Sequence, residues 1–190
     1  IKILNRANEI DFGIAETYIA NSNSAFENER LSYVKSKCDL YYAIPTNSDG
    51  QFIESHWGID VWKSASCSLA TLITTLSQQY KSVTLLAHDT MFASVRKYLN
   101  RARPKNENIN IYWIPHSLAR IFNDSFSDQV RDSFEVESIQ SLIDENDKIV
   151  AINSYMRNFL NIQYRIPHEK IYDIHNRIKK TKTNSLTKNE

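Results

Sequence analysis

Val83-Thr84-Leu85-Leu86-Ala87 is an apolar run that stops at His88-Asp89-Thr90 and gives way to a stretch of helical character from Met91 to Leu99. The same unit returns twice. Ile109-Asn110-Ile111-Tyr112-Trp113-Ile114 stops at Pro115-His116-Ser117, and Lys148-Ile149-Val150-Ala151-Ile152 stops at Asn153-Ser154 before a helical stretch from Tyr155 to Tyr164. A fourth short run, Lys170 to Ile174, ends at His175-Asn176. Strand, polar turn and helix in succession are the rhythm of a parallel α/β sheet. The nearly unbroken apolar character of 83–87 further predicts a strand covered by helices on both faces.

Between the runs lie amphipathic stretches. Leu69, Leu72, Ile73 and Leu76 recur at helical spacing within Val61 to Tyr80, and Val136, Ile139, Leu142 and Ile143 form a stripe ahead of the third run. Earlier, Phe52-Ile53-Glu54-Ser55 reads as a strand leading to His56-Trp57-Gly58. In the first 45 residues, Ile14, Tyr18 and Ile19 suggest a helix, Asn21 to Ser24 a loop, Glu27 to Arg30 a second helix and Asp39 to Ile44 a strand. Residues 1–178 are expected to form one α/β domain; 179–190, rich in Lys, Thr and Asn, read as a polar tail or interdomain linker.

Composition removes several function classes. The formal charge of +1 gives no global electrostatic case for nucleic acid or an anionic membrane. No apolar run approaches the ~20 residues needed to span a bilayer, and the start, Ile1-Lys2-Ile3-Leu4, lacks a signal-peptide pattern. Cys38 and Cys67 make neither a disulfide framework nor a ligand cluster. A cytoplasmic location is the expectation. Gly13, Gly50 and Gly58 are too scattered for a phosphate-binding loop, which disfavours a dinucleotide or ATP site, and no cofactor is expected.

Ligands of open parallel sheets bind beyond the carboxyl ends of the strands. His56, His88 and His116, three of the five histidines, stand at such ends and are the candidate site residues, with Asp89, Thr90 and Ser117 beside them. Each has a structural alternative. An imidazole there can satisfy a loop carbonyl, Asp89 or Thr90 can cap the helix that follows, and Ser117 can cap the segment after Pro115. A zinc site from the three histidines lacks a supporting His-x-x-x-His or carboxylate spacing, so no metal is expected. Tyr41, Tyr42, Trp62 and Trp113 read as core or helix–sheet filling, with sugar stacking an option for Trp57.

The succession of these motifs resembles the N-terminal domain of GT-B glycosyltransferases, in the large retaining group that includes sucrose-phosphate synthase, trehalose synthases and glycogen synthase. VTLLAHDTMF, Val83 to Phe92, is similar to that group's strand ending in an "HD" turn. YWIPHSLAR, Tyr112 to Arg120, resembles the "T-G-H-S-L-G-R" segment through His116, Ser117, Leu118 and Arg120. Phe134 to Ile139 resembles the "R-I-E-x-E" helix that follows. Asp147 to Asn176 resembles the stretch that closes the first domain and crosses to the second. The likeness covers residues 51–178.

The resemblance implies a three-layer Rossmann-like domain with a mostly parallel twisted sheet. It supplies the acceptor side of an enzyme that moves a sugar from a nucleotide-sugar donor to a sugar or glycan acceptor with retention of configuration. By motif position the catalytic histidine is His116. Substrate-binding residues are His88, Asp89, Thr90, Ser117, Arg120 and His56, and Arg120 alternatively pairs with Glu135 or Glu137. Departures from the pattern are Arg177 after Asn176, where the group has Gly, and Ala119 at the glycine of "H-S-L-G-R". The group's donor-binding second domain has no counterpart in these residues, so the chain alone is expected not to turn over a nucleotide sugar. The alternative is a non-catalytic glycan-binding or subunit-pairing module. A hydrolase using His116 with Ser117 is a third reading, disfavoured by the lack of a Gly-x-Ser-x-Gly elbow.

Overall fold

A computed structural model of the chain describes residues 11–17, 25–44, 59–101, 108–121 and 126–174. Within them run strands β1 (Gly13–Thr17), β2 (Leu40–Ile44), β3 (Val83–His88), β4 (Ile109–Ile114), β5 (Lys148–Ala151) and β6 (Ile171–Asp173). The helices are α1 (Ala25–Lys35), α2 (Ile59–Gln79), α3 (Val95–Leu99), α4 (Phe126–Asp144) and α5 (Ser154–Gln163). All described strand pairs are parallel, in a four-stranded sheet ordered β3-β4-β5-β6 and a two-stranded sheet β1-β2. The chain is thus α/β, as the alternation of runs requires.

The order of the larger sheet decides where its helices lie. Each strand is laid beside its predecessor in the same direction, and right-handed crossovers place successive connecting helices on one face. Burial follows that geometry. In register, Leu85, Ile111, Ala87, Trp113, Ile149 and Ile171 point to one face. There Ala87, Ile111, Trp113, Ile149 and Ile171 pack in one cluster with Leu69 and Ile73 of α2, Val95 and Leu99 of α3, Leu142 of α4 and Leu160 of α5. The opposite face is less covered: Leu86 is 49% exposed and Tyr172 43%, and Thr84 and Asn110 are exposed beside them. The expectation that β3 has helices over both faces is therefore corrected. Only alternate residues of this strand are shielded, since its run of apolar letters includes Leu86, which faces outward.

Caps and turns set the element ends. Asn153 accepts a hydrogen bond from the Met156 N–H at 2.8 Å and so starts α5. At the end of α4, Asn146 adopts the left-handed conformation, φ 62°. The Asn146 N–H donates to the Ile143 carbonyl at 3.1 Å and the Asp147 N–H to the Leu142 carbonyl at 2.9 Å, closing a Schellman motif. That turn sends Asp147 into the interior. Its carboxylate receives Arg96 Nε at 2.5 Å, Arg96 Nη2 at 2.8 Å and the Ile111 N–H at 2.9 Å, while Arg96 also donates to the Ile109 carbonyl at 3.0 Å. A buried ion pair thereby joins α3, β4 and the start of β5 at the sheet end opposite the candidate site.

Three further expectations are revised. The region around Ile14 is strand β1, not helix; its five residues pair with β2 from Gly13↔Leu40 to Thr17↔Ile44. The stretch from Met91 to Leu99 is divided into a 3-10 turn, Thr90–Phe92, and α3. On α4 the buried stripe runs through Phe134, Glu135, Ser138, Ile139 and Leu142, leaving Val136 40% exposed. The expected strand 52–55, His56 and Trp57 lie outside the described residues.

Candidate functional site

β3 and β4 are neighbours in parallel register, with His88 opposite Ile114, so the turns that follow both strands emerge side by side. This brings two histidines, 28 residues apart in sequence, into contact: His88 Nδ1 lies 3.0 Å from His116 Nε2. The ring planes are nearly parallel, inclined by 15°, with centroids 5.4 Å apart, so the rings meet edge to edge. At that nitrogen separation one ring donates and the other accepts, so a single proton occupies the shared position. Two imidazolium rings cannot hold this geometry. His88 is exposed overall, yet its Nδ1 side is shielded by the neighbouring ring. Partial burial, and then repulsion from His116, lower the His88 pKa against the opposing pull of Asp89.

Asp89 occupies a conformation that almost only glycine adopts, φ 65° and ψ 174°. Its surroundings determine it from every polar group. The Asp89 N–H donates to the Ile114 carbonyl at 2.9 Å, the Asp89 carbonyl accepts from the Trp113 indole at 2.9 Å, and the side chain accepts from the Thr90 N–H at 2.9 Å. The expected capping role is thus present, on a 3-10 turn. Held this way, the exposed Asp89 carboxylate stands next to His88.

Beneath the pair lies a buried polar network that the sequence did not disclose. Glu135, on α4, is fully enclosed (0% exposed). Its carboxylate accepts four hydrogen bonds: Thr90 Oγ1 at 3.2 Å, Arg131 Nε at 2.7 Å, the Ala119 N–H at 3.0 Å and the Tyr164 hydroxyl at 2.6 Å. That is the full complement of a carboxylate. Arg131 Nη2 continues the network at 2.9 Å each to Thr90 Oγ1, the Ser117 carbonyl and Ser117 Oγ. Burial, followed by the adjoining Glu135 charge, pushes the Tyr164 phenol well above its ordinary range, keeping it a donor. A clue was available: a glutamate at a position shared by the apolar stripe of a helix must bring partners with it.

Of the candidate residues, His88, His116 and Asp89 meet at the surface. Thr90 is 3% exposed, with its hydroxyl committed to Glu135 and Arg131. Ser117 is held by Arg131, and His116 Nε2 by His88, so the hydroxyl and imidazole of the hydrolase reading are engaged elsewhere. Arg120 pairs with neither Glu135 nor Glu137. Its guanidinium forks onto Asp132 at 2.7 and 3.1 Å, donates to the Gln163 carbonyl and lies over the Tyr164 ring, 4.5 Å from its centroid. Trp62 and Trp113 are buried, as expected of core aromatics. Among the described residues, no group of three or more His, Cys, Asp or Glu side chains could hold a metal ion, and no helix is long and apolar enough to cross a membrane.

No protein-family model matches the chain, and no curated protein matches it.

Proposed function

We propose that this chain is the acceptor-side, Rossmann-like domain of a retaining GT-B glycosyltransferase, working with a donor-binding domain that these residues do not supply. The observation carrying this reading is the contact of His88 with His116 beyond the carboxyl ends of two adjacent parallel strands. Ligands of open parallel sheets are bound beyond the carboxyl ends of the strands, and both histidines belong to the motifs that resemble the transferase group. In this reading His116 hydrogen-bonds a hydroxyl of the sugar being transferred and helps accommodate the oxocarbenium-like charge that develops there. His88 keeps the His116 ring oriented through the shared proton. Asp89 offers a carboxylate to acceptor hydroxyls, while Thr90, Ser117 and Arg120 brace the loops.

The test is a titration of the isotopically labelled chain with neutral sugars, sugar phosphates and oligosaccharides, followed through the ring resonances of His88 and His116. At least one saccharide class is expected to shift both rings at millimolar concentration, and His116→Ala to weaken that binding. When the chain is joined to its donor domain, the same substitution should lower kcat by about 10²- to 10³-fold, the size of losing one stabilising donor. A full panel that leaves both rings unmoved would overturn the reading. Saccharide binding without transfer by the joined protein would favour the non-catalytic module.

A further inference from the structure

We propose that Glu135 is the positioning residue of the histidine pair: from beneath, one buried carboxylate ties the turn after β3 to the turn after β4 and so fixes the distance across which His88 and His116 share a proton. The inference concerns the pair itself and stands whether or not the transferase reading does.

The connections run in both directions from Glu135. Oε1 holds the hydroxyl of Thr90, two residues beyond His88. Oε2 holds the backbone N–H of Ala119, three residues beyond His116. A second brace from the same helix turn, Arg131, spans the same gap by bonding both Thr90 Oγ1 and Ser117. Tyr164, at the end of α5, closes the network by donating to Oε2. The strand ladder and the Asp89 N–H bond to the Ile114 carbonyl tie His88 to the end of β4, but His116 lies two residues beyond that end, on a surface turn whose position the ladder does not set. A hydrogen bond between two ring nitrogens weakens steeply once they separate by a few tenths of an ångström. The network is therefore placed where small displacements matter most.

Charge placement supports the assignment. Asp89 is the acidic group beside the pair. The Arg131 guanidinium, which touches Ser117 next to His116, is matched by its 2.7 Å contact with Glu135. Removing the Glu135 charge would leave the Arg131 guanidinium, which holds the residue next to His116, without its carboxylate partner. The same carboxylate thus holds both turns and the arginine that spans them.

The experiment is nuclear magnetic resonance on the full 190-residue chain labelled with nitrogen-15. Two imidazoles joined by an N–H···N hydrogen bond show a scalar coupling between the ring nitrogens, and the wild-type chain is expected to show it near neutral pH. Glu135→Gln and Thr90→Val should each reduce that coupling by about half or more while backbone dispersion stays that of a folded protein. Thr90→Ser, which keeps the hydroxyl, should restore it. Glu135→Gln also puts an amide group against Arg131; if that variant does not fold, Thr90→Val decides alone, because it removes only the hydroxyl through which Glu135 and Arg131 hold this turn and leaves Glu135 three partners. Full coupling in a folded Thr90→Val chain overturns the proposal, as does its loss in Thr90→Ser or its absence from the wild type.

Discussion

Asp89 bears the most unusual backbone in the described structure, and the strain can be read out by substitution. Asp89→Ala and Asp89→Gly both lose the carboxylate and its cap to Thr90, but only glycine is at ease at this φ and ψ. The glycine variant should be the more stable of the two by about 1 kcal/mol or more in urea unfolding, after the entropic cost of glycine is counted. Equal stabilities would show that the conformation costs nothing. His88 yields a second expectation. Its pKa in the folded chain lies below the ordinary value of ~6.5, so beneath that value the unfolded chain binds more protons. The contribution to stability is complete above the ordinary value and is lost as pH falls toward the folded-state value. His88→Gln should therefore unfold with a shallower pH dependence than the wild type on the acid side. Sequence exposed these residues because histidines at strand ends stand out against apolar runs. Arg131 and Tyr164 stayed hidden because a charge on a helix is ordinarily solvated, and only the folded chain shows what Glu135 requires of them.

Elements were legible where short-range pattern decides them. The runs at 83, 109, 148 and 171 fold as strands within a residue or so of their apolar letters, and Asn153 announces α5. β1 was not legible: Gly13-Ile14-Ala15-Glu16-Thr17 carries little strand propensity, and its partner β2 begins at Leu40, so a long-range pairing determines its state. The slipped stripe of α4 has a similar origin, since Val136 sits one position off the buried arc. The Arg96–Asp147 pair joins three elements and makes the clearest prediction at this scale. Asp147→Ala leaves an arginine buried without its partner and should cost about 3–5 kcal/mol. Replacing both residues with apolar ones of similar volume should recover much of that loss. Additive penalties from the two single replacements would mean the pair is not a unit.

For the molecule as a whole, the one-sided placement of helices sets which substitutions are tolerated. Leu86→Thr, on the open face of β3, should change stability by no more than about 0.5 kcal/mol. Ile149→Ala, on the covered face, should cost about 2–5 kcal/mol. Chemical denaturation of the two variants side by side measures the asymmetry. The α/β class follows from the alternation of strand and helix, but which face is the less covered depends on sheet order, and neighbour relations between strands are not written in their letters. The same architecture equips the chain with optical reporters. The indole of Trp113, itself out of contact with water, donates to the carbonyl of Asp89, the residue after His88. Trp62 packs 5.9 Å from the Arg131 guanidinium that braces them. Protonating a nearby imidazole quenches indole emission, and a ligand that shifts Asp89 alters the indole's hydrogen bond. Acidification or a docking saccharide should therefore register as a change in intrinsic fluorescence, with no added dye.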